Sequence, residues 1–103
     1  MRTRANIIMI QGKDTLYFYR HSDGYPSVCG KSLTEFVDSY RRGLMRLDLM
    51  QSAGWLIVAG HKEYEYDNIV SGDGWKVGAY EPTTCLHNDV EYVYIIDLTE
   101  QTL

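Results

Sequence analysis

The stretch Arg20-His21-Ser22-Asp23-Gly24-Tyr25-Pro26 brings a guanidinium, an imidazole and a carboxylate close together in the chain. Arginine offers a rigid fork of donors and histidine one more, so the group could grip an anion. A histidine oriented by an aspartate could equally act as a general base. The same residue types also suit a tight turn. Asp23 can bond its own backbone, Gly24 supplies a positive φ, and Pro26 drives Tyr25 towards an extended conformation. In that reading Arg20 or Arg4 pairs with Asp23 and the cluster is structural. Arg4, Arg20, His21, Asp23 and Tyr25 are the candidate binding residues of the functional reading.

All three histidines stand two positions before an acid: His21 with Asp23, His61 with Glu63, and His87 with Asp89. Imidazole plus carboxylate suits a borderline divalent metal, and i, i+2 residues of a strand share a face. The pairs fall at element ends or in loops, where polar residues gather anyway, so no metal site and no cofactor is expected. Cys29 follows the Pro26 turn, yet no G-x-S-x-G elbow or phosphate loop accompanies it. Cys29 and Cys85 read as unpaired thiols, and no catalytic residue is assigned.

A third group is acidic and aromatic. Nine of the chain's 103 residues are Tyr, against two Phe and two Trp. Tyr64-Glu65-Tyr66-Asp67 and the run from Asp89 to Asp97, with Glu91, Tyr92 and Tyr94, interleave carboxylate and phenol. Tyrosine gives large contact area with a polar tip, and spaced carboxylates can imitate a row of phosphates to a basic partner. Tyr64, Glu65, Tyr66 and Glu91 are the candidates for a partner face; the plainer alternative is a solvated sheet surface. The formal charge is −4, split unevenly: residues 1–46 carry +4 and residues 47–103 carry −8. Either the two halves cancel in the fold or they mark a polar partner surface.

These groups need a scaffold. Asn6–Gln11 and Thr15–His21 read as strands joined at Gly12-Lys13-Asp14, with Leu16, Phe18 and Arg20 on one face of the second and Tyr17, Tyr19 and His21 on the other. Ser32-Leu33-Thr34-Glu35 fits a capping box, followed by a helix with Leu33, Phe36, Val37 and Tyr40 on its buried face and Gly43 beyond its end. Asp48-Leu49-Met50-Gln51 is a second box, opening a helix to about His61; a strand over Trp55–Val58 is the alternative there. His61–Ser71 reads as an irregular loop and Gly72-Asp73-Gly74 as a turn. Trp75–Tyr80 reads as a strand, Glu81–Asp89 as a connection and Glu91–Leu98 as the clearest strand of all. The sum, β-β-α-α-β-β, predicts a single α+β domain over 1–103. Its expected architecture is one antiparallel sheet of about four strands with both helices on one face.

Two segments carry a resemblance. Thr3-Arg4-Ala5 and Tyr19-Arg20-His21-Ser22-Asp23-Gly24-Tyr25-Pro26 resemble small proteins common in phage and prophage genomes. Those open with a T-R-A-x-I strand, continue with Y-R-H-x-D-G-Y-P, and close on an acidic-aromatic strand like Glu91–Leu98. Gly30 and Lys31 also match, whereas the middle, Arg41–Thr84, is not covered. The resemblance implies a phage accessory protein directed at the host, including inhibition of bacterial defence in the manner of an anti-CRISPR protein.

Size, charge and the absent catalytic signature favour a non-enzymatic protein that acts by binding a host protein. The expected partner is a basic nucleic-acid-binding protein or complex, met in the host cytoplasm. The alternatives are a small-ligand or nucleotide-binding module around Arg4, Arg20, His21 and Tyr25, or a minimal hydrolase or nuclease using His21 and Asp23. Direct nucleic-acid binding is not expected of an acidic chain whose basic patch is only Arg41, Arg42 and Arg46. No apolar run approaches the ~18 residues of a membrane span, so no membrane contact is expected. A homodimer is compatible with everything above.

Overall fold

The computed structural model describes residues 3–66 and 78–103. Strands β1 (Ala5–Gln11) and β2 (Asp14–Arg20) form a hairpin whose register pairs Ala5 with Arg20 and Gln11 with Asp14. A single π-helical turn, Pro26–Gly30, runs directly into α1 (Lys31–Arg41), and α2 (Leu49–Tyr66) follows. Two further strands, β3 (Glu81–Thr83) and β4 (Tyr92–Asp97), complete a four-stranded sheet of order β3-β2-β1-β4. The fold is α+β.

The sheet is mixed rather than wholly antiparallel: β4 runs parallel to β1, with Ala5 opposite Tyr92 and Ile10 opposite Asp97. The cause lies in the connection before β4. After β3 pairs with β2 at one edge, residues 84–91 cross the sheet and enter β4 level with the start of β1, so no hairpin forms there.

Alternation explains the core. Ala5, Ile7 and Met9 of β1, Phe18 of β2 and Ile96 of β4 share the inward face. They meet Leu33, Phe36, Val37 and Tyr40 of α1 and Leu49, Ala53 and Leu56 of α2 in one cluster. Two polar side chains tie the antiparallel helix pair to the sheet at opposite ends. At one end the Gln11 amide donates to the Leu47 carbonyl and accepts from the Leu49 N–H, bracketing the start of α2. It also donates to the Tyr40 hydroxyl near the end of α1. At the other end Arg20 reaches the last part of α2.

Several local expectations change. The first capping box does not form: α1 continues from the π turn, and the Ser32 hydroxyl instead accepts a hydrogen bond from Tyr80 at 2.8 Å. The second does form in part, with the Gln51 N–H donating to Asp48 Oδ1 at 2.8 Å. Gly43 closes α1 as expected, at φ +72°, with the Leu44 N–H reaching back to the Ser39 carbonyl. Trp55–Val58 is helical, and α2 outruns its expected end at His61 by continuing to Tyr66, replacing the first part of the loop read over His61–Ser71, whose remainder lies outside the described residues. The strand expected over Trp75–Tyr80 is not seen in Gly78–Tyr80; its first part and the Gly72-Asp73-Gly74 turn lie outside the described residues. The short strand falls instead in the expected connection, at Glu81–Thr83, where Pro82 is tolerable because β3 is an edge.

Candidate functional site

The Arg20–Pro26 turn is a clamp, and several of its residues have separate anchors. Asp23, not Gly24, adopts the positive φ, at +59°. Aspartate tolerates that region through its short polar side chain. Gly24 is required for a different reason. Its N–H donates to the Thr3 carbonyl at 2.9 Å, and a Cβ there would lie 2.9 Å from the Ala5 Cβ and 3.0 Å from backbone atoms of Thr3 and Arg4. The Tyr94 hydroxyl donates to the Gly24 carbonyl at 2.7 Å. Tyr25 is extended, as Pro26 demands, and its carbonyl accepts from the N–H groups of Val28 and Cys29 to start the π turn. Its ring is exposed.

Arg20 is fully buried, so it does not present its guanidinium to solvent. Its Nη atoms hold Glu63 at 2.7 and 3.0 Å, and its Nε donates to the Ser22 carbonyl at 2.8 Å. Burial alone would depress the pKa of this group; the hydrogen bonds with Glu63 outweigh that and hold it above the ordinary arginine value. The guanidinium also lies over the Tyr80 ring, 5.1 Å from its centroid. Arg4 stays near the surface, with Asp89 at 3.3 Å. Neither arginine is thus spent on Asp23.

Tyr80, which the sequence left without a role, is the keystone. It is buried between the start of α1 and the end of α2. Its hydroxyl meets Ser32 and stands 3.9 Å from the Cys29 sulfur, while Gly60 must lack a Cβ because one would sit 2.9 Å from the Tyr80 ring. Burial pushes the Cys29 thiol up to about 11, only partly offset by Arg20, so it stays protonated at neutral pH and is a poor nucleophile.

His21 is exposed, and its Nδ1 lies 2.9 Å from the Tyr19 hydroxyl rather than on Asp23. The Tyr19 ring stacks on His87, with centroids 3.9 Å apart. The His87 segment is held by a reciprocal pair: its N–H donates to Asn6 Oδ1, and its carbonyl accepts from Asn6 Nδ2. The three histidine–acid pairs therefore part company, since Glu63 serves Arg20 and Asp89 serves Arg4. Among the described residues no cluster of three or more His, Cys, Asp or Glu side chains is placed to hold a metal.

The acidic-aromatic group divides. Tyr64, Glu65 and Tyr66 sit in the last turn of α2, and their side chains lie outside the described residues, as does Asp67. Glu91 precedes β4 and accepts the Arg4 N–H at 2.6 Å. Among the described residues β4 has β1 on one side and no strand on the other. Its outward side chains Val93 and Ile95 are 55% and 51% exposed, and Tyr92 is 38% exposed. Val93 and Ile95 continue across the sheet into half-buried Ile8, Ile10 and Tyr17 on the face away from the helices, whereas Tyr92 shares the face of Ala5 and Ile96. Glu81, Asp89 and Glu91 are exposed around this strip. Sequence reasoning named Glu91 but missed Val93 and Ile95; alternation with the buried Ile96 would have placed them outward. No helix among the described residues is long and apolar enough to cross a membrane. No protein-family model, curated protein or solved structure matches the chain.

Proposed function

We propose that this protein acts by binding, and that its docking surface is the open face of the sheet at β4. The observation that carries the reading is an edge strand whose outward Val93 and Ile95 are exposed, rimmed by the carboxylates of Asp89, Glu91 and Glu81. An apolar centre with a polar rim is the anatomy of a recognition patch. Ahead of Asp97, whose backbone is bridged to Thr102, the edge strand also offers backbone groups for strand addition.

Asp89 is paired with Arg4, and the exposed carboxylates of Glu81 and Glu91 favour positive charge, so the partner is a basic protein, in the first instance one that handles nucleic acid in a bacterial host. Occupying such a protein's phosphate-binding surface would inhibit it. The chemistry of the Arg20 turn then belongs to the scaffold, because the guanidinium that could grip an anion is already committed to Glu63.

Capture from bacterial lysate on the immobilised chain tests this. The expected result is a basic nucleic-acid-binding protein that is released by raised salt and displaced by excess duplex DNA or RNA. Capture that is indifferent to salt and to nucleic acid would overturn the reading.

A further inference from the structure

A groove of about 860 Å³ opens between α1 and α2. That size falls within the roughly 300–1,000 Å³ of small-molecule sites. Its ends differ in character. Because the helices run antiparallel, the start of α1 stands level with the end of α2, and Tyr80 touches both, at Ser32 and at Gly60. This end carries the amines of Lys31 and Lys62. The opposite end, where α1 turns back into α2, is lined by Phe36, Leu44, Met45 and Trp55.

Among the described residues two acids also line the groove, Glu35 and Glu63; Glu63 is neutralised by the buried Arg20, which leaves Lys31 and Lys62 against Glu35 and a positive balance. The Ser32 oxygen accepts from Tyr80, which leaves the hydroxyl proton for another acceptor. At the other end the apolar side chains are costly as they stand: Leu44 is 62%, Trp55 46% and Val58 39% exposed. Eleven-residue α1 sets the length of the slot at about 16 Å.

We propose that this groove binds a linear amphipathic anion of the medium-chain carboxylate class. The chain lies along Trp55, Val58 and Met45, and the carboxylate meets Lys31, Lys62 and the Ser32 hydroxyl. The inference is independent of the partner surface on β4, since no residue is shared. A cationic slot on a chain of net charge −4 is a local feature, and it selects for the head group rather than for the tail.

Isothermal titration with dodecanoate below its micelle concentration, followed by amide chemical-shift mapping, tests it. The expected result is saturable one-to-one binding, with shifts confined to residues 27–45 and 55–63. The Lys31→Gln/Lys62→Gln variant should bind at least tenfold more weakly, as should dodecyltrimethylammonium with the native chain. Both lysines are exposed, so the variant retains the fold, and Val58→Glu supplies a second block at the tail. Absent saturation, equal binding of the cationic amphiphile, or a concentration-dependent dimer that buries Trp55 would each overturn the proposal.

Discussion

Gly24 rests directly on Ala5, so closely that a methyl group at Gly24 would come within 2.9 Å of the Ala5 Cβ. This contact joins two separate segments, Thr3-Arg4-Ala5 and the Tyr19–Pro26 turn. Read as sequence they are separate motifs; folded, one is the bed on which the other lies. Gly24→Ala should therefore destabilise the protein by about 1–3 kcal/mol, the usual cost of overpacking, read from urea unfolding. Asp23→Gly, at the positive φ, should leave stability unchanged or slightly raised.

The Arg20–Glu63 pair makes a second prediction. Glu63→Ala removes the carboxylate that pairs with a fully buried guanidinium, and the expected loss is about 3 kcal/mol. That is the low end for a buried pair, because the Glu63 side chain keeps 25% exposure. Glu63→Asp, one methylene shorter, should recover only part of the stability.

Thiol labelling distinguishes the cysteines. Cys85 is exposed and Cys29 is buried. A disulfide-exchange reagent at pH 8 should modify one thiol at once, and the second only as fast as the chain opens. Rapid labelling of both would contradict the placement of Cys29 beneath Tyr80.

Alkaline pH should weaken the fold. Burial raises Cys29 from 9.0 to about 11 and Tyr94 from 10.0 to about 12, and it raises Tyr80 as well. The folded chain therefore keeps protons that the unfolded chain releases, so stability is complete below about pH 9 and falls as pH rises towards 11 and 12. Urea unfolding across that range should show the decline, and Cys29→Ala should flatten it between pH 9 and 11.

Much of the fold was legible because periodicity reports burial. The β1–β2 hairpin, the Leu33–Tyr40 stripe and the helical state of Trp55–Val58 all followed from spacing. The direction of β4 did not, because strand pairing depends on where the chain re-enters, which no local pattern records. The end of α2 was lost to a polar composition, although Leu56, Gly60 and Glu63 share one helical face. Extending the helix would have put Glu63 inward and called for a cation, and Arg20 already stood on the inward face of β2. Tyr80 was illegible for a similar reason: its role depends on three elements meeting, not on its neighbours in the chain.

The central claim is that β4 is where a partner docks. Hydrogen exchange of the chain with and without its captured partner measures this most directly. The account predicts slowed exchange in Tyr92–Ile96 on binding, abolished together with capture by Val93→Glu/Ile95→Glu at unchanged unfolding midpoint. Protection centred instead on His21–Tyr25, with β4 unaffected, would contradict it.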